Sequence, residues 1–402
     1  MKKTMLCRSC GAETESVRLD LGRLPVCNRF TAERVEPATY PLELGVCGQC
    51  ALVQLFDIAP IDAIRPRLPW IRYNEPSAHL DDAAAQLAAL VGNTGAALGV
   101  GPFDGPLLER LKLSGCEISS IDGRELAGEA LNQPYAYLET YQAGLLPVPL
   151  AGVAGGRDLV ICRYLVEHSH DPVLALRGLG SLLGPKGVLV VEVPDSRKFI
   201  QRRDYCFPWE EHVCYFTEET IRGLAVQAGF VVERLLRYPG LLEDALIVAL
   251  RPAPRLNETA PNKDYVAEQM REFETYAAAF PGSRDRWRSK LEQVTAQGDN
   301  VALMGIGHQA ITVVNAFGLQ DLIAFAVDDD RDKLGLFAPG FRSPVIASSE
   351  LATLQATLCL MAVNPRVIPK IQEKLGESFS ERTEFVSIFA GLGPETAIGK
   401  AP

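Results

Sequence analysis

Five histidines are spread along 402 residues, and one of them, His212, lies in "FPWEEHVCYFT" directly behind Glu210 and Glu211 and inside a run of aromatics. An imidazole oriented by an adjacent carboxylate can take a proton near neutral pH. The same surroundings suit a histidine that bonds a backbone carbonyl within an aromatic core. Neighbours on an extended segment point to opposite sides, so Glu211 and Glu210 are both open as its partner. Tyr215 in the same stretch, His168 in "YLVEHSHD" and an ordered water are candidates to donate to an oxygen that gains charge when the carbon beside a carbonyl is deprotonated.

The cysteines form a second set. Cys7 and Cys10 in "CRSC", with Cys47 and Cys50 in "CGQC", place four soft thiolates in two tight turns. Two such pairs can close tetrahedrally on Zn2+, and a four-thiolate site leaves no open position for water. Its task is then to hold a small, core-poor module together. Cys27, between the pairs, is expected as a packed side chain and not as a fifth ligand.

These groups need a scaffold, and the hydrophobic pattern supplies one. From Ala78 onward, helical segments such as "AHLDDAAAQLAALVG" alternate with short apolar runs: "GAALGV", "EISSID", "DLVICRYL" and "GVLVVEVP". That alternation is the signature of a parallel, doubly wound α/β sheet. "GFVVERLLRYP" and "DALIVALRP" are too close together for an intervening helix and should pair antiparallel. After the Pro-rich "RPAPRLNETAPN" come one or two polar helices, and then a second α/β unit opening with "NVALMGIG". The expected organisation is a cysteine module over 1–75, an α/β domain over 76–255, a helical connector over 256–297 and a second α/β domain over 298–402.

Composition narrows the function. A net charge of −10 argues against a nucleic-acid partner, because phosphate backbones are bound through clustered Lys and Arg. No apolar run is long enough to span a bilayer, and "MKKTMLCRSC" lacks the apolar core of a secretory signal. The expectation is a cytoplasmic protein with no membrane partner.

In "LGVGPFDGPLLERL", Gly99, Gly101 and Gly105 follow a strand and open a helix, allowing close approach of a ligand to unpaired N–H groups. Asp122 ends the next strand at the usual distance for an acid that bonds the ribose hydroxyls of an adenosine. It could equally cap the following helix, and NAD is a rival ligand on these residues alone.

The stretch "DLVICRYLVEHSHDPVLALRGLGSLLGPKGVLVVEVP" resembles the class I S-adenosylmethionine-dependent methyltransferases, over roughly residues 80–250. That resemblance implies S-adenosylmethionine as cofactor, held by the glycine turn, Asp122 and Arg163. Where most of those enzymes carry an acid at the end of the first strand this chain has Gly99, and Asp104 in the turn is the candidate to replace it.

Taken whole, the chain resembles the three-domain sugar C-methyltransferases, which act on nucleotide-linked keto-deoxysugars. "LDLGRLPVCNRF" and "YPLELGVCGQCALVQL" match their zinc module. "NVALMGIGHQAITVVNAFGL", "FAVDDDRDKLGLFAPGFRSPVI" and "CLMAVNP" match their C-terminal domain. The resemblance implies a Rossmann-like class I methyltransferase domain flanked by an N-terminal zinc-binding module and a C-terminal Rossmann-like, substrate-binding domain.

It also implies that His212 is the general base with Glu211, and that His168 and, by a looser alignment, Tyr73 in "IRYNEPSAH" face the substrate. Trp209 stands where the family has tyrosine, and Glu210 where it has histidine. The family's Gly-Gly-Ser-x-Arg segment is replaced by "PGLLEDALIVAL", with Glu243 and Asp244.

In the last domain Gly305, Gly307 and His308 form a turn suited to a phosphate, with Asn364 as the late asparagine of the series. Asp328 is poised either to bond a ribose or to cap a helix. His79 is expected at the surface or in a helix cap, and His170 exposed in its loop. Two further readings stay open: a methyltransferase acting on an oxygen or another acceptor, and a scaffold that binds S-adenosylmethionine without turnover.

Overall fold

The strands "DLVICR" and "GVLVVEV" carry unbroken apolar runs, Leu159–Cys162 and Val188–Val191, because both of their faces are covered, as in the centre of a parallel sheet. In the computed structural model, which describes residues 3–65, 67–68, 75–92, 94–121, 155–253 and 262–389, they are β8 (Arg157–Arg163) and β9 (Leu183–Asp195). Six strands form the sheet in the order β11-β12-β9-β8-β6-β7, with β6 at Ala96–Val100 and β7 at Glu117–Ile121. β6 to β9 run parallel, whereas β11 (Phe230–Tyr238) and β12 (Asp244–Pro252) form an antiparallel hairpin against β9.

The strand alternation decides which side each residue serves. Leu159, Ile161, Val188 and Val190 pack with the helices Leu80–Leu90 and Gly105–Leu113 on one face. Val160, Cys162, Leu189 and Val191 pack with Pro172–Gly180 and Glu218–Ala228 on the other. Cys7, Cys47 and Leu52 join this second core, so the cysteine module is seated on the sheet's helical layer.

That module contains a hairpin, β1 (Lys3–Leu6) with β2 (Glu13–Ser16), and the strands β3 (Arg18–Pro25), β4 (Thr39–Val46) and β5 (Val53–Leu55). Its sheet is completed from elsewhere. β10, only Cys214–Tyr215, pairs antiparallel with β5, giving the order β10-β5-β4-β3. The strand following His212 is therefore held by the zinc module.

A 34-residue helix, Lys263–Ala296, links the middle and last domains. Its buried side chains Phe273, Tyr276, Phe280, Trp287 and Leu291 recur at helical spacing and belong to one core with β3, the 199–215 segment and the helix His308–Phe317. The last domain is a five-stranded parallel sheet made of β13 (Val301–Met304), β14 (Phe325–Val327), β15 (Val345–Ile346), β16 (Leu358–Met361) and β17 (Glu384–Ser387), in the order β15-β14-β13-β16-β17. The bridge from Thr31 to Phe337 ties the first module directly to it. Among the described residues no helix is long and apolar enough to cross a membrane.

Candidate active site and zinc centre

The two cysteine pairs meet. Cys7 Sγ lies 3.5 Å from Cys50 Sγ, and Cys10 Sγ lies 3.7 Å from Cys47 Sγ. A tetrahedron with Zn–S bonds of the usual length has edges of about 3.8 Å, so the four sulfurs fit the ion with little movement. Cys27 is not among them. It is buried against the last domain, 3.6 Å from Thr312 Oγ1.

The second site forms where β8 ends. Tyr164 takes the left-handed conformation, with φ 51°, at a cost of about 1–2 kcal/mol for an L-residue. The chain turns sharply there and enters a short 3-10 turn, Val166–His168. Val213 N donates to the Glu167 carbonyl at 2.9 Å, which locks this turn to the His212 segment. The His168 and His212 rings meet edge-on with centroids 4.7 Å apart. Trp209 lies 4.9 Å from His212 and stacks on His308 at 4.4 Å.

Both acids that precede His212 are engaged by the first module. Glu211 is buried and accepts from Asn28 Nδ2 at 3.2 Å, while Glu210 accepts from Cys27 N at 2.6 Å. Both acids brace the zinc module. His212 is accordingly pushed down, not up: burial, then the neighbouring His168 and His308, hold it well below its ordinary value. Burial also lowers His168 to about 4, opposed by a bond to the Glu211 backbone, and lowers His308 to about 4. All three rings are neutral at pH 7.

An acid that approaches His212 is Glu167, which in the sequence reads merely as the residue before His168. One donor atom each from Glu167, His168 and His212 lie within 4.8 Å of one another. Tyr215 is likewise committed elsewhere: its hydroxyl donates to Trp209 O at 3.3 Å and accepts from Trp209 N at 2.8 Å.

These rings line a cavity of about 460 Å3 between the middle and last domains, bounded also by Glu75, Phe103, Tyr164, Glu243 and Arg366. Burial pushes Glu75 up to about 7 and Glu243 up to about 8. Asp244 stays low despite its burial, because Lys198, the Gly240 amide and Arg237 hold its carboxylate.

The glycine turn lies behind the Phe103 wall. A Cβ at Gly99 would sit 2.8 Å from Leu108 Cδ1 and 2.9 Å from Asp104 Cβ, so an acid cannot enter there without displacing them. Asp104 fills that space. It is fully buried, Oδ1 accepts from Arg163 N at 3.1 Å, Oδ2 has no partner, and burial raises its pKa to about 7. Gly101, at φ 156°, brings Oδ2 within 3.3 Å of the position a Cβ would take. An orphaned acceptor beside a side-chain-free turn fits the ammonium end of a methionine-bearing cofactor. Gly105 is the first residue of the helix that follows.

Arg163 does not face the cavity. Its guanidinium pairs with Glu192 and donates to Phe103 O at 2.5 Å and Pro76 O at 2.9 Å, so it positions the turn. His79, expected at the surface or in a cap, instead lies 2.8 Å from Glu192 Oε1 and lines the cavity. His170 is half-buried and not exposed. Asp122 and Tyr73 lie outside the described residues.

From the last domain, His308, Gln309, Asn364 and Arg366 reach the cavity. Gly305, at φ 91°, carries no side chain because a Cβ would lie 2.9 Å from the Ala362 carbonyl; Gly307 precedes the helix. Asp328 turns inward, accepting from Ile306 N and Lys333 Nζ, each at 2.8 Å. It closes the glycine turn and does not line the cavity.

Comparison with known proteins agrees with this construction. Three family models match in tandem: a zinc binding domain over residues 7–64, a methyltransferase domain over 74–235 and a C-methyltransferase C-terminal domain over 252–389. The C-methyltransferase NovU of Streptomyces niveus is 25% identical over 369 residues, covering 86% of each chain. Two solved structures cover less. The Burkholderia thailandensis 1,6-didemethyltoxoflavin-N1-methyltransferase aligns at 19% identity and TM-score 0.33, with 44% of this chain and 79% of that one. The magnesium protoporphyrin IX methyltransferase of Synechocystis PCC 6803 aligns at 18% identity and TM-score 0.32, with 46% and 91%. The order of the three matched domains, with the cysteine cluster in the first, places this chain among the methyltransferases built from a zinc-binding domain, a methyltransferase domain and a C-methyltransferase C-terminal domain.

Proposed function

We propose that this enzyme methylates a carbon next to the ketone of a nucleotide-linked keto-deoxysugar, with His212 as the general base. The observation that carries this reading is the meeting of neutral His212, His168 and His308 in one cavity between the methyltransferase and C-terminal domains. S-adenosylmethionine, when bound, supplies an electrophilic methyl group on sulfur. Asp104, Gly101 and the residues around Phe103 would hold its amino-acid end.

A carbon becomes a nucleophile only after losing a proton, and a neutral imidazole has the lone pair to take it. Burial lowers the basicity of His212, and an anionic ligand beside it would strengthen it as a base. Arg366 and the N–H groups opening the helix at His308 support the phosphate end of such a ligand. Trp209 offers a flat apolar surface to the sugar.

The reading is tested by supplying a set of nucleotide-linked 4-keto-6-deoxysugars, measuring S-adenosylhomocysteine release and locating the new methyl by NMR. A methyl on carbon alpha to the ketone is expected. A methyl on oxygen would replace this reading with O-methylation, and no turnover together with no S-adenosylmethionine binding would remove both.

A further inference from the structure

Glu167 is 1% exposed, lines the cavity and leaves both carboxyl oxygens without a hydrogen-bond partner. An unpaired carboxylate in such a place is strongly disfavoured. Burial, joined by the like charges of Glu75, Glu192 and Glu243, raises its pKa well above the ordinary value, against a lowering by its own backbone. Burial and these neighbours favour the protonated carboxyl, which can turn its O–H into the cavity it lines.

The alternative donors are spent. Tyr215 gives its proton to Trp209 O. His168 is neutral, its bond to the Glu211 backbone uses its N–H, and Nδ1 remains as a buried lone pair. Deprotonating a carbon beside a ketone puts negative charge on the ketone oxygen, and that oxygen needs a donor.

We propose that the Glu167 carboxyl group donates a hydrogen bond to the acceptor's ketone oxygen while His212 removes the neighbouring proton. This rests on the carbon-methylation reading. The C–H electron pair becomes the C=C bond, the C=O pair moves to oxygen, and the proton goes to His212, which becomes an imidazolium. The oxygen's charge is shared with the Glu167 O–H, which keeps its proton. When the carbon pair bonds the incoming methyl, the C=O bond re-forms and the electron pair of the broken S–C bond stays on sulfur.

The test separates enolisation from methyl transfer. Thymidine-diphosphate-4-keto-6-deoxyglucose is incubated in D2O with the enzyme and S-adenosylhomocysteine, and loss of the proton beside the ketone is followed by NMR. Glu167→Gln keeps a donor of the same shape and should slow exchange by no more than about tenfold, whereas Glu167→Ala should slow it by about 10²–10³-fold. Calorimetry with S-adenosylhomocysteine should give wild-type affinity for both variants, which establishes that they fold.

Wild-type exchange in Glu167→Ala overturns the proposal. So does Glu167→Gln as slow as Glu167→Ala, which would mark Glu167 as a carboxylate or a metal ligand with His168 and His212. A wild-type enzyme that neither exchanges nor methylates this probe overturns the carbon-methylation reading for it, and the proposal with that reading.

Discussion

Cys214 pairs with Gln54, so the strand that begins two residues after His212 is the outer strand of a sheet otherwise made by the zinc module. Leu55 N donates to Val213 O at 3.0 Å, and Asn28 and Cys27 hold Glu211 and Glu210. The zinc module thereby fixes the backbone on both sides of His212.

Zinc content and methyl transfer should therefore fall together. Wild type should carry about one zinc equivalent per chain, and a chelator titration should remove metal and turnover in parallel, with Cys47→Ser losing both. Full activity in zinc-free protein would separate the module from the site. Metal analysis and turnover on the same samples decide this.

Trp209 stacks on His308 across the domain boundary and is only 4% exposed. Trp209→Ala should cost about 3–5 kcal/mol of stability and raise the acceptor KM by roughly 10- to 100-fold. Affinity for S-adenosylmethionine should hold within about threefold, because the change removes no contact of the glycine turn. Steady-state kinetics on a variant verified by thermal melting gives the split.

Burial places His212 below its ordinary value, which sets the acid side of the pH profile. The base works deprotonated, so kcat/KM should stay level as pH falls through about 6.5 and decline about tenfold per unit only below the lowered value. A midpoint at or above that ordinary value would contradict the burial-dominated environment. The measurement is kcat/KM between pH 5 and 8 with a non-titrating readout of product.

Asp104 acts on stability with the opposite sign. Its folded pKa is raised to about 7 by burial, so its favourable contribution is complete below its ordinary carboxylate value, near 3.9, and is lost as pH rises through about 7. Comparing Asp104→Asn with wild type in denaturant titrations should show the difference changing by up to about 1.4 kcal/mol per pH unit between pH 4 and 7, then levelling off. A difference independent of pH would show that Asp104 is ionised throughout.

The sequence was most readable where local pattern and structure obey the same rule. Continuous apolar runs mark β8 and β9 because both faces are buried, and the spacing of Cys7, Cys10, Cys47 and Cys50 reflects the geometry of a single tetrahedron. The partners of His212 were not readable. Glu210 and Glu211 are adjacent to it in sequence, but contacts 183 residues away claim them. Glu167 reaches His212 through the bond from Val213 N to its carbonyl, a contact between segments distant in sequence. Asp328, at a strand end that suits a ribose, is drawn instead to its own turn by Ile306 N and Lys333. Long-range burial and hydrogen bonding overrule neighbourhood at such places.

The most direct test of the account is the turnover of His212→Ala with thymidine-diphosphate-4-keto-6-deoxyglucose and S-adenosylmethionine, read as C-methylated product by NMR. Removal of the base should lower kcat by about 10²–10⁴-fold while S-adenosylmethionine affinity, measured by calorimetry, stays at the wild-type value. Unchanged turnover in His212→Ala would contradict the account at its centre.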